Sequence, residues 1–215
     1  MNYKKALFLF LFVALAVPSI SFADSVVRTG ETVSVESDNR IEGDFYTAAS
    51  VLSLSGQVSE DLISVGGRST LNGSVGGDAL MIGGSVDVHG PVGDDLRVIA
   101  GDVIIAEPIT GDVFVMGGSV KVLSTASIGG DLLVYGGDVE VSGSVGGDII
   151  GRVESLRIDA PVAGLVDVTA PVLVLGDRAD IAGSLQYVSA EPLTRSPNSK
   201  IGGETTHNDV VEKDV

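Results

Sequence analysis

An aspartate returns along this chain at a nearly fixed interval, and the interval decides what the chain can fold into. Asp44, Asp61, Asp78, Asp95 and Asp112 stand seventeen residues apart, Asp131 follows after nineteen and Asp148 after seventeen. Leu165 and Ser184 hold the next equivalent places, seventeen and nineteen residues further on. A period in this range means stacked copies of one small unit. Seventeen residues are too few for a pair of helices, and inside each copy apolar and polar residues alternate with period two. The unit is a coil of short strands.

Columns through the copies specify which residues turn inward. One place after the aspartate stand Phe45, Leu62, Ala79, Leu96, Val113, Leu132, Ile149 and Val166. Eight places after it stand Leu52, Ser69, Val86, Val103, Val120, Val139, Leu156 and Leu173, and ten places after it the run continues from Leu54 and Leu71 to Ile158 and Leu175. A fourth column holds Val58, Val75, Val92 and Ile109, with Ile128 keeping the role in the longer coil. None of these positions is charged, and stacked they form one continuous core. Between them lie polar pairs such as Arg68 and Thr70 or Asp138 and Glu140, the solvated face. Glycines mark the corners, Gly66-Gly67 and Gly136-Gly137 at one and Gly56, Gly73, Gly90 and Gly143 at another. A corner glycine is expected to supply positive φ.

Three turns per period predict an all-β chain: a single-stranded, three-sided parallel β-helix of about 8–9 coils. Its strands run about four to six residues, and at ~4.8 Å per coil the rod stands on the order of 40 Å tall. Residues 24–43 read as an N-terminal lead with a first partial coil and 44–191 as the repeats. Residues 192–215, broken by Pro192 and Pro197, read as an irregular last coil and a flexible acidic tail. In that tail "KIGGE" at Lys200 to Glu204 echoes "SIGGD".

Repeats such as "GSVGGDALMIGGSVDVHGPVGDDLRV" and "ASIGGDLLVYGGDVEVSGSVGGDII" resemble the bactofilin family of polymer-forming bacterial proteins, over about Ile41 to Ile181. The resemblance implies a right-handed solenoid that assembles end to end without nucleotide. The chain differs from those cytoplasmic proteins in opening with an export signal and is similar to an exported member. "MNYKKALFLFLFVALAVPSISFADS" sets Lys4 and Lys5 before an apolar run from Ala6 to Val17, with Ser21 and Ala23 preceding Asp24. That layout predicts a signal peptide, residues 1–23, cleaved after Ala23. A retained membrane anchor is the alternative, since Ala6 to Ala23 is long enough to span a bilayer. Either way the rod is expected outside the cytoplasm, in the periplasm, at the cell surface or secreted.

Cleavage leaves 11 basic against 29 acidic residues, a net charge of −18. Such acidity repels nucleic acid. With no cysteine, disulfides and thiolate metal sites are excluded. His89 and His207 stand apart, neither near a nucleophile nor in a ligand-spaced cluster, so no catalytic or cofactor-binding residue is predicted. Asn72 fits a glycosylation acceptor, but Asn-Gly is expected there for the turn alone.

Two features invite a function. The column Asp44, Asp61, Asp78, Asp95, Asp112, Asp131 and Asp148 reads first as corner capping, each carboxylate accepting backbone N–H bonds of its own turn. The other reading is a ladder of hard-cation sites. The outward places of the first strand are apolar where polar residues belong: Ile63, Val65, Leu80, Ile82, Ile99, Phe114, Met116, Leu133 and Tyr135, interrupted by Arg97, Arg152 and Asp167. Either the tail after Pro192 or the chain before Gly43 covers this stripe, or it meets another copy or a membrane-associated partner. Together these features predict a non-enzymatic structural protein that self-assembles or scaffolds at the cell envelope. The alternative is a surface module binding a polysaccharide or an envelope protein.

Overall fold

The computed structural model describes residues 25–209, so the segment expected to be a signal peptide, Asp24 and the last six residues lie outside it. Among the described residues every regular element is a strand, and every pairing is parallel. Successive turns lie directly on one another. Eight strands of ten residues, from Val26–Val35 through Phe45–Leu54 and Leu62–Leu71 to Ile149–Ile158, stack in sequence order. Above them come Val166–Thr169 with Val172–Leu175, then Leu185–Val188 with Thr194–Arg195, then Thr205–Asn208. The solenoid has eleven turns and stands about 50 Å tall.

The expected 8–9 coils fall short because both ends add turns that lack the aspartate and the glycine pair. Val26–Val35 pairs with Phe45–Leu54 along nearly its whole length. At the other end Lys200–Ile201 and Thr205–Asn208 pair in register with Asp180–Ile181 and Leu185–Val188. An end turn answers to a neighbour on one side only, so it needs fewer of the repeat's residues.

Each ten-residue strand carries a corner within it. Along Leu62–Leu71 the inward residues are Leu62 and Ser64, then Ser69 and Leu71, so the alternation changes phase at Gly66-Gly67. The inter-turn pairing passes from Ala49↔Gly66 to Val51↔Arg68 and skips the second glycine. A third, two-residue stretch closes each turn, its ladder running from Ile41 and Val58 through Val92 and Ile109 to Val145 and Ile181. Four longer turns place their extra residues at one corner. There Glu36–Asn39, Leu123–Ala126, Gly176–Ala179 and Ser196–Ser199 each close a tight turn by a backbone bond.

The four predicted columns are buried in one core that runs from Val33 to Tyr187. Another inward column joins them three places after the aspartate: Thr47, Ser64, Met81, Val98, Val115 and Val134. At its lower end it is polar, and the buried Ser64 and Ser69 hydroxyls bond each other at 3.1 Å across the corner.

The corner glycines have a different reason from the one expected. Among the described residues no glycine has positive φ. A Cβ on Gly66 would instead overlap the carbonyl oxygen of Ala49 in the turn beneath, and a Cβ on Gly73 that of Gly56. Glycine is required by the close approach of stacked corners.

Candidate functional site: an acidic ladder beside an apolar face

The aspartates form one chain of hydrogen bonds up the rod. Asp44 Oδ1 accepts the backbone N–H of Asp61, Asp61 that of Asp78, and so on to Asp148, which accepts the N–H of Leu165. Each carboxylate therefore caps the turn above rather than its own, which corrects the expected local cap. The reason lies one residue on. The N–H of Leu62 donates upward to the Asp78 carbonyl, as Phe45 does to Asp61, while the Asp78 N–H points down. A side-chain oxygen from below meets that inverted donor, which buried without a partner would cost about 1–3 kcal/mol.

The residue before each aspartate belongs to the same device. A Cβ on Gly77, Gly130 or Gly147 would overlap Oδ1 of the aspartate beneath. Where that residue is Gly77, Gly111, Gly130, Gly147 or Gly164 the bond measures 2.8–2.9 Å. Where it is Glu60 or Asp94 the bond lengthens to 3.3 and 3.1 Å. The recurring "GD" is thus one motif: glycine makes room for the carboxylate below, and aspartate repeats the offer to the turn above.

Mid-ladder, Arg97 straddles two rungs, donating from Nη1 to Asp78 Oδ2 at 2.9 Å and from Nη2 to Asp95 Oδ2 at 2.7 Å. The bond to Asp78 is the main reason its guanidinium is held above its usual pKa, against partial desolvation. Asp78, Asp94 and Asp95 have carboxylate oxygens within 4.8 Å of one another, and among the described residues they are the one group so gathered. Their chemistry suits a hard cation. However, Asp78 and Asp95 already meet Arg97 through Oδ2 and backbone N–H groups through Oδ1, leaving Asp94 as the carboxylate without such a bond.

Beside the ladder lies the stripe, and its residues turn outward as assigned. Pairing between turns aligns Ile63, Leu80, Arg97, Phe114 and Leu133 in one column and Val65, Ile82, Ile99, Met116 and Tyr135 in the next. Val65, Ile99, Met116 and Tyr135 are each 40% exposed or more. Phe114 and Tyr135 lie against each other, ring centroids 6.1 Å apart. Tyr46 and Ile150 extend the first column by a turn at each end, and sequence reasoning missed both. Ile150 sits in a coil without the glycine pair, and Tyr46 is disguised by its phenol. That hydroxyl donates to Asp44 Oδ2 at 3.0 Å, and the bond raises the Tyr46 pKa. The face ends upward at Arg152 and Asp167, both exposed.

Among the described residues neither suggested cover lies on this face. Val26–Val35 extends the sheet by a turn at the bottom, and the chain from Pro192 to Asn208 builds the last turns at the top. His89 is exposed. His207 stacks on Tyr187 with centroids 4.5 Å apart, and its Nε2 lies 2.9 Å from the Ser189 carbonyl. Because a carbonyl only accepts, that nitrogen carries the proton. Among the described residues no helix is long and apolar enough to cross a membrane. No family model, curated protein or solved structure matches the chain.

Proposed function

We propose that this is an exported, non-enzymatic structural protein, a bactofilin-like, right-handed, three-sided β-helix whose rods join end to end at the cell envelope. The observation that carries the reading is the state of the two ends. Among the described residues, Val26–Val35 is paired with a neighbour on one side only, and at the top Thr205–Asn208 and Thr194–Arg195 are likewise each paired once. Open strand edges recruit further strands unless something blunts them. A second copy offers a ladder of the same rise, so one rod continues another without a change of geometry. Arg28, over the Phe45 ring at 5.8 Å, closes the lower end of the core with a cation. The top carries exposed Glu204 and Asp209 and the lowest turn exposed Glu31, Glu36 and Asp38 beside Arg28, so a head-to-tail junction sets mostly like charges together and needs salt to screen them.

The resemblance of the repeats to bactofilins and the export-type N-terminus support the same reading. The test is the size distribution of the mature chain, residues 24–215, by sedimentation and negative-stain imaging at rising concentration. Rods in whole multiples of about 50 Å are expected, more of them at physiological than at low ionic strength because the net charge is then screened. A chain that stays monomeric at high concentration in both salts overturns the polymer reading in favour of a module that binds an envelope polysaccharide or protein.

A further inference from the structure

The apolar face carries a second association that uses neither end of the rod and does not depend on end-to-end growth. We infer that two copies pair laterally through this face in antiparallel orientation, about a twofold axis passing through the turn of Arg97 and Ile99.

Size and composition come first. The face is one four-residue strand wide and seven turns tall, about 13 Å by about 34 Å. Two copies pressed together cover about 900 Å² in projection, and side-chain relief takes the buried area past the roughly 1,000 Å² that a specific interface requires. Flat sheets with a common rise pack with aligned strands about 10 Å apart, side chains interdigitating. The stripe is the one outward face of the repeats composed mainly of large apolar side chains. The next face carries Arg68, Asp87, Lys121, Asp138 and Glu140.

The order of the side chains selects the orientation. Up the second column they grow, from Ala48 and Val65 through Ile82 and Ile99 to Met116, Tyr135 and Arg152. Two copies set parallel would face the first column with the second, Ile63 meeting Val65 low on the rod and Phe114 meeting Met116 and Leu133 meeting Tyr135 high on it, so the bulkiest pairs would gather in the upper turns. Inverted about Ile99, the small lower end of the second column meets its large upper end: Val65 opposes Tyr135, Ile82 opposes Met116 and Ala48 opposes Arg152. The first column inverts equally well, Ile63 against Leu133 and Leu80 against Phe114. Such self-complementarity is what an isologous twofold contact demands. Arg97 would face its own copy across the axis, where Asp78 and Asp95 already hold it, and Arg152 stands in the end turn of the face, exposed.

The same geometry runs the two aspartate columns along one rim. Their repulsion reaches across the rim at low ionic strength and is screened within about 8 Å at physiological salt, so salt should strengthen the pair.

The chain has no cysteine, which makes single-cysteine variants of the mature protein direct reporters. Under mild oxidation Ile99→Cys should form a covalent dimer at least tenfold faster than Lys121→Cys on the neighbouring face. Val65→Cys and Tyr135→Cys should cross-link when mixed and not alone. In the cysteine-free chain, Ile99→Asp should abolish the lateral pair in sedimentation while leaving the thermal midpoint of dilute protein unchanged, because that side chain is outward. Ile99→Cys cross-linking no faster than the control overturns the inference, as does efficient pairing of Ile63→Cys with Val65→Cys, the signature of parallel rods. Long species without the Ile99 cross-link remove this inference and leave end-to-end growth. A cross-linked dimer without longer species does the reverse.

Discussion

From Phe45 to Ile158 the rod is a repeat that reproduces its own neighbours, whereas from Val166 upward the same path is held by different means. In the lower stretch each turn lays a ten-residue strand on the one beneath and threads an aspartate into the turn above, and the central turns close a corner with glycine. In the upper stretch strands shrink to four residues, Pro171 breaks them at the corner, and the acidic ladder ends on the N–H of Leu165. Side-chain bonds replace it. Arg178 donates its backbone N–H to Asp159 Oδ1 and its guanidinium to Oδ2, while Arg195 bonds the Ser199 carbonyl and Ser199 bonds Ser196. What the two stretches share is the set of inward apolar columns. Those columns define the solenoid, and the ladder and glycine corners are additions where turns press closely on both sides.

The largest effect should therefore come from the columns and be the same in both stretches. Val120→Asp buries a lone carboxylate between Val103 and Val139, and Leu173→Asp does so in the upper stretch beside Leu156. Each should cost on the order of 3–5 kcal/mol or unfold the rod outright. Lys121→Asp, exposed beside Val120, should stay within about 0.5 kcal/mol. Thermal midpoints check this, and equal shifts for Val120→Asp and Lys121→Asp would break the assignment of the inward face.

Corner packing ranks next and belongs to the lower stretch. A Cβ on Gly136 overlaps the Gly117 carbonyl, whereas one on Gly118 approaches the Gly101 carbonyl no closer than 3.1 Å. Gly136→Ala should cost about 1–3 kcal/mol by overpacking and Gly118→Ala clearly less, as read from denaturant midpoints. Equal costs would point back to backbone conformation as the reason for glycine.

Removing one rung tests the ladder. Asp131→Ala deprives the Asp148 N–H of its acceptor and should cost about 1–2 kcal/mol. Asp131→Asn keeps an oxygen in place and should recover most of that. If Asn costs as much as Ala, the charge rather than the hydrogen bond matters, and the cation reading of the column gains.

What could be read from the sequence follows the same division. The columns were legible because burial repeats the same residue class at every turn, and the outward stripe because apolar residues stand where alternation demands polar ones. The end turns were not. Val33, Val35 and Ile41 are buried in a lead that has neither "GD" nor a glycine pair at the expected places, because no ladder has to pass down through it. The direction of the aspartate bonds was hidden as well. Sequence places Asp78 beside Gly77, but only stacking shows that Gly77 makes room for Asp61. Tyr46 and Ile150 escaped because a stripe is easiest to see where glycine corners frame it.

The smallest effect concerns the clamp that takes over in the upper stretch, and its sign follows from Asp159. The Arg178 backbone N–H, then its guanidinium, lower the Asp159 pKa from its ordinary 3.8, and partial burial opposes them without reversing the shift. A carboxyl with a depressed folded-state pKa contributes stability that is complete above its unfolded value and is lost as pH falls through the folded one. The guanidinium is half-exposed, so the contribution is modest. Asp159→Asn keeps an acceptor for the N–H but cannot titrate. Hydrogen exchange over 176–208 should therefore be slower in the wild type than in Asp159→Asn at pH 5–6. The two should converge as the pH drops below about 4, while 113–141 shows no difference between them. A gap over 176–208 that persists or widens in acid would remove this clamp from the account of the upper turns, leaving the inward columns alone to hold them.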